Sequence, residues 1–455
     1  MRYQTLQDRT RLELARRVGA LGTDVAAWTK EARIKAMKIG PRQAAALVTT
    51  MAVLCSRQDE AYEKMSQPLE PRRFADEYAA LLMEMAGANE LWRVFRHMLA
   101  QFEDAELSEA TKIAGQIAAD CYVTGLEAAR DFGAIAEKEL REAPLVYLEA
   151  VDSPATAGRR DAAKAISAAL RRWRDLKLPL PIVLLPVDYR LAIWNFTAIH
   201  HEVGHNLDQD LRLLSDLRAV LPDIVPADRE PHWRRWSGEI LADAIGVTLG
   251  GVGFALSLVT LGVLLGPANQ YQTLDPEAVH PPLALRARLL TEMLRATGVA
   301  EFQPFAKALP GISGGTPEPD WLAPFVLDAA RVADLFLNAK IAALQNHSVL
   351  DLNPRLQADH VQAAGLAAFL LTGKMRPPPE TMPARLVPCA SQLALWQADP
   401  PDDALLLKIH TDALSYMQLV PALTKTLAAP IAVAQERDAY FEALTRAIDF
   451  STLIS

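Results

Sequence analysis

A run of 23 residues, Ala244 to Gly266, carries no charged side chain. A helix of that length rises about 1.5 Å per residue, enough to cross a hydrocarbon layer of ~30 Å, so the run either spans a membrane or is enclosed by protein. Gly246, Gly250, Gly251, Gly253 and Gly262 punctuate it, Glu239 and Asp243 stand just before it, and no second such segment or Lys/Arg-rich flank accompanies it. An enclosed helix is therefore favoured over membrane association through 244–266. Such a helix requires neighbours on every side.

The remaining chain can supply them. Its 455 residues, 51% of them hydrophobic, suffice for one large core or for two to three ordinary ones. From Leu6 to about Glu139, apolar residues recur every three or four positions, as in Tyr78, Leu81, Leu82 and Met85, or Trp92, Phe95 and Leu99. That spacing predicts helices with core stripes, divided at Gly40-Pro41 and Pro68 to Pro71. Past Pro144, the runs Leu145–Leu148 and Ile182–Leu185 predict short strands, separated by a turn from Asp152 to Gly158 and a helix from Asp161 to Leu176. A helical pattern starts after Asp188 and runs through Trp194 and Ile199 to His205. Another runs from about His232 to Gly266, and more follow to the C-terminus. Pro267, Pro276, Pro281, Pro282, Pro377 to Pro379 and Pro400-Pro401 mark the loops between them. The expected fold is mostly α (α+β), with a helical region over 1–140, a core over 141–300 containing a small sheet, and a helical region over 301–455.

Net charge is -8 with both signs interspersed, so there is no basic face for nucleic acid. Cys55, Cys121 and Cys389 are odd in number and far apart, which predicts buried thiols in a reducing compartment rather than disulfides or a thiolate site. Met1 to Arg17 lacks the apolar run of a secretory signal, and a cytoplasmic location is expected.

The chemistry concentrates in His200-His201-Glu202-Val203-Gly204-His205. On a helix, His201 and His205 stand one turn apart on one face and can share a Zn²⁺ at roughly 2.0–2.1 Å. Glu202 is placed to take a proton from a zinc-activated water, whose pKa falls to about 7. Those are the parts for hydrolysing an amide. Two buried imidazoles on a purely structural helix are the alternative, but Gly204 costs roughly 0.8–1 kcal/mol there relative to alanine and so needs a reason.

A catalytic zinc needs a third protein ligand. The metzincin continuation is absent, because Asp208 and Leu211 occupy its Gly and His positions. Glu239-Ile240-Leu241-Ala242-Asp243 offers Glu239 as ligand, with Asp243 one turn on to accept a hydrogen bond from a ligand imidazole. Asp208 is a conceivable ligand but better suited to capping. His200 points away from the ligand face and His232 reads as a helix-start residue.

The ordered set His201-Glu202-x-x-His205, Glu239-x-x-Ala242-Asp243 and His280-Pro281-Pro282-x-x-x-Arg286 resembles the gluzincin metallopeptidases, in particular the CAAX prenyl protease and bacterial heat-shock metalloprotease family. The likeness covers roughly Pro181 to Leu290. It implies a zincin-like core, zinc on His201, His205 and Glu239, Glu202 as general base, and a protein or peptide substrate. It also brings His280 or Arg286 to the site, with His280 as a catalytic oxyanion donor and Tyr271 a weaker choice. Members of that family are often membrane-bound. The run Ile182–Leu185 is expected at the rim of the cleft, pairing with an extended peptide.

Two other classes remain open: a metal-binding regulatory or scaffold protein on the same core without turnover, and a helical interaction protein with no metal. Gly311, Gly314 and Gly315 lack a following Lys-Ser/Thr, and no Gly-x-Ser-x-Gly elbow occurs, so phosphate-loop and serine-hydrolase chemistry have no support.

Overall fold

The fold comes from a computed structural model that describes residues 3–30, 33–34, 37, 39–67, 69–137, 140–158, 180–264, 277–309, 319–373, 382–398 and 402–420. They fall into two compact units, one built on Met1–Lys112 and the other on Ile113–Thr156 with Ile182–Leu423.

In the first unit, α1 (Tyr3–Trp28), α2 (Pro41–Ser66) and α3 (Pro71–Ala100) follow the predicted periodicity. Prolines open α2 and α3, where their missing N–H costs nothing. Leu14, Val18, Met65, Phe74, Leu81 and Met85 form one apolar cluster among them. Trp92, Phe95 and Leu99 are buried as a stripe on α3, and the Trp92 indole donates to Asp24 at 2.7 Å.

The second unit contains the sheet. After α4 (Ser108–Asp131) come β1 (Leu145–Glu149), β2 (Ala155–Ala157) and β3 (Ile182–Pro186). The strand order is β1-β3-β2, with β1 parallel to β3 and Leu145 opposite Ile182. Both predicted strands are present, and β2 lies where a turn was expected. The expectation that Ile182–Leu185 lies at the rim of the cleft and pairs with an extended peptide is corrected: β3 is the middle strand, paired with β1 along its length and flanked by the short β2 on its other side. The helix expected to run on from Asp188 is also corrected. Two 3₁₀ turns, Val187–Leu191 and Ile193–Thr197, precede the α-helix, because Ala192 between them is extended at φ -149° and ψ 84°.

Next come α5 (Ala198–Leu211), α6 (Leu214–Ile224) and α7 (Glu230–Leu264). Beyond them lie α8 (Leu283–Ala296), α9 (Gln303–Ala308), α10 (Ala323–Asn338), α11 (Leu356–Thr372), α12 (Leu386–Gln397) and α13 (Asp403–Leu419). The chain is mostly helical with a small three-stranded sheet. Helix α7 is its axis: α5, α6, α8, α10, α11 and α12 all pack on it. Most of its apolar window is buried, as expected of an enclosed helix, although its length and composition would also suit a membrane span. Gly251 breaks α7 at φ 56° and ψ -137°, a conformation that side chains with a Cβ avoid.

Cys121 and Cys389 are buried as expected, whereas Cys55 is only partly so. The helix expected over 161–176, Tyr271, the glycines at 311, 314 and 315, the prolines at 267, 276, 377–379 and 400–401, and everything past 420 lie outside the described residues.

Candidate metal centre

Two helices bring the centre together. Helix α5 turns Ile199, Val203, Leu207 and Leu211 into the core, and α7 buries Ile240, Leu241, Ala244 and Ile245. They meet at Gly204, where an added Cβ would lie 2.9 Å from both the Cα and the carbonyl oxygen of Ala242. Only glycine permits this approach, which sets the ligand turn of α5 against Glu239 and Asp243 on α7. The reason that Gly204 demanded is packing.

His201, His205 and Glu239 offer one ligand atom each, all within 4.8 Å of one another, and together they can hold a metal ion. The Nε2 atoms of His201 and His205 are 3.1 Å apart. His201 Nε2 is 3.1 Å from Glu239 Oε2, and His205 Nε2 is 3.4 Å from Glu239 Oε1. A tetrahedral zinc with bonds of about 2.0–2.1 Å has ligand–ligand edges of about 3.3 Å. The three side chains fit that span. Among the described residues no other group of three or more His, Cys, Asp or Glu side chains converges in this way.

Behind the ligands, His201 Nδ1–H donates to Asp243 Oδ1 at 2.8 Å, which leaves Nε2 to face the centre. Asp243 is held in turn by Arg286 of α8, whose Nε reaches Oδ2 at 2.9 Å and Nη2 reaches Oδ1 at 2.7 Å. This buried chain of guanidinium, carboxylate and imidazole fixes the tautomer and orientation of His201. The role of Arg286, left open in the sequence, is therefore to hold Asp243. His280 Nε2 lies 3.2 Å from Glu239 Oε2, on a ring that is largely exposed.

The charges follow from these contacts. Burial opposes protonation of His201, but Asp243 and Glu239 outweigh it and hold the imidazole up at about 10. Burial and the neighbouring His201 push His205 down to about 4. Glu239 would be raised by burial, yet the imidazoles, His201 foremost, bring it down to about 2. Asp243 is likewise held far below the usual carboxylate range, with Arg286 and His201 overcoming its burial. Glu202 is buried beside the ligands, and loss of solvent pushes its carboxyl up to about 7. A carboxyl there can take and release a proton near neutral pH.

The remaining candidates lie away from this group. Asp208 Oδ1 accepts the Leu214 N–H at 2.9 Å, a tie between α5 and α6. Fully buried His200 has Nδ1 2.9 Å from the Thr197 carbonyl and Nε2 3.1 Å from that of Arg385. His232 packs its ring against Trp236 and Phe325 at the start of α7.

Sequence reasoning missed Asn206 and Tyr189. Asn206 Nδ2 donates to the Glu202 carbonyl at 3.1 Å and to Thr156 Oγ1 at 3.0 Å, while the Thr156 hydroxyl donates to the Ile182 carbonyl at 2.9 Å. This ties the Glu202 turn to the sheet. Tyr189, in the first 3₁₀ turn, has its phenol pushed up to about 12 chiefly by burial, with the charges of Asp188 and then Glu202 adding to it. Neither residue belongs to a local pattern, so only the folded arrangement reveals them. Comparison with family models, with curated proteins and with solved structures finds no match for the chain.

Proposed function

We propose that the chain is a zinc-dependent metallopeptidase of gluzincin type, with a zincin-like core and a protein or peptide substrate. The observation that carries the reading is the convergence of His201 Nε2, His205 Nε2 and a Glu239 carboxylate oxygen at tetrahedral spacing, with buried Glu202 beside them. Two imidazoles and a carboxylate, with one position left open, are the donor set of a catalytic rather than a structural zinc. When bound, zinc supplies Lewis-acid activation of water and of a substrate carbonyl.

The chain's own residues do the rest. His201, His205 and Glu239 would hold the ion, Asp243 keeps the His201 proton on Nδ1, and Arg286 keeps Asp243 charged and in place. Glu202, buried beside them, would accept a proton at its carboxylate as the nucleophile forms and return it to the leaving amine. Resemblance to peptidases in the ordered motifs supports an amide as the bond cleaved. A scaffold that kept its metal without turnover would have no use for Glu202.

Metal analysis of the purified full chain beside His201→Ala and Glu239→Ala tests the centre. About one zinc per chain, lost or weakened in both variants, is expected. A wild-type chain that takes up no zinc after supplementation refutes the reading and leaves a helical interaction protein. Glu202→Gln then separates enzyme from scaffold: zinc stays bound, and cleavage of a peptide library, measured by mass spectrometry, disappears.

A further inference from the structure

The segment Ala278–Arg286 tracks one face of α7. The Trp236 indole donates to the Ala278 carbonyl at 3.1 Å, His280 meets Glu239 at 3.2 Å, and Arg286 grips Asp243 at 2.7 and 2.9 Å. Positions 236, 239 and 243 lie on one side of a helix, and the strap crosses them in the same order. Pro281 and Pro282, both buried, stiffen it between His280 and α8. His280 is thus pinned from both ends, and its partner is the carboxylate of a ligand. It is not one of the three converging ligand groups.

A carboxylate that binds an ion through one oxygen leaves the other to accept a hydrogen bond. Glu239 is long and rotatable, and Asp243, which serves His201, does not touch it among the hydrogen bonds and ion pairs described. We infer that His280 is the positioning residue for Glu239, its Nε2–H donating to Oε2 so that the third ligand stands ready and metal affinity is set from the strap. This role rests on the proposed metal centre and is separate from the oxyanion role that the family resemblance implies. Asp243 and His280 then do the same task for two different ligands, His201 and Glu239, with Arg286 holding Asp243 from behind.

The test is the zinc dissociation constant of the full chain, read by competition with a chromogenic chelator, for wild type, His280→Ala and His280→Gln. Loss of a group that orients a ligand weakens metal binding by roughly 10- to 100-fold. That loss is expected in His280→Ala, with most of it recovered in His280→Gln, whose amide restores an N–H donor. The ring is largely exposed, so unfolding midpoints of the metal-free variants should match wild type. X-ray absorption of the zinc-loaded wild type should count two imidazoles. Unchanged affinity in His280→Ala overturns the role while leaving the centre intact, and a count of three imidazoles overturns it by making His280 a ligand. A wild-type chain that binds no zinc instead refutes the metal centre itself.

Discussion

At the scale of single residues, the centre is a set of charges that hold one another. Asp243 is fully buried: its Oδ1 accepts from both the His201 imidazole and the Arg286 guanidinium, and its Oδ2 accepts from Arg286 as well. Changing it to Asn keeps the shape but removes the charge that keeps the His201 proton on Nδ1. Asp243→Asn should weaken zinc binding by roughly 10- to 100-fold in a chelator competition, and an unchanged affinity would show that Asp243 merely packs. The charge states also predict a proton count. With His201 raised to about 10 it is protonated at pH 8, whereas His205 at about 4 is neutral and Glu202 at about 7 is largely ionised. A ligating imidazole must give up its proton, so zinc binding at pH 8 should release about one proton per chain, from His201. Titration calorimetry in buffers of different ionisation enthalpy measures it. Release near zero would mean that the metal-free His201 is already neutral.

At the scale of elements, the contact between α5 and α7 decides whether a centre exists. Intrinsic propensity alone predicts that Gly204→Ala stabilises α5 by roughly 0.8–1 kcal/mol. The packing predicts the opposite, because the new methyl would meet Ala242 backbone atoms at 2.9 Å, and backbone cannot swing aside. Forcing an extra carbon into such a contact costs about 1–3 kcal/mol. Net destabilisation in thermal unfolding, with weaker zinc binding as the ligand turn moves off α7, is the expected result. A more stable variant would mean that the helices separate freely. The same elements show how far a sequence can be read. Helix existence and the one-turn spacing of His201 and His205 are local properties, and both were legible. The 3₁₀ turns before α5 and the short strand β2 were not, because Ala192 and Ala155–Ala157 carry no side-chain pattern of their own.

At the scale of the whole molecule, the second unit encloses a charged network as well as an apolar helix. Arg385, on the turn into α12, is buried and donates to Asp120 of α4 at 3.2 Å and also to Asp359 of α11. Its carbonyl faces His200 of α5. The guanidinium thus joins α4 to α11, and the backbone carbonyl of the same residue reaches α5. Replacing it with Met would leave two carboxylates buried without their partner, at a cost of about 3–5 kcal/mol. Arg385→Met should therefore lower the chemical denaturation midpoint sharply, whereas a small change would mean that water takes over the Arg385 contacts.

By itself, the sequence determined the helical periodicity, the two longer strands, the uncharged run of α7 and the one-turn spacing of the histidines. Each depends on chemistry within a few residues. Only the tertiary structure decided that Glu239 meets both imidazoles, that Arg286 locks Asp243, that His280 turns to Glu239 and that β3 lies inside the sheet. Those facts join residues tens of positions apart. Their closeness is set by how nearly two backbones can approach, here at Gly204 against Ala242, and no local spacing encodes that distance.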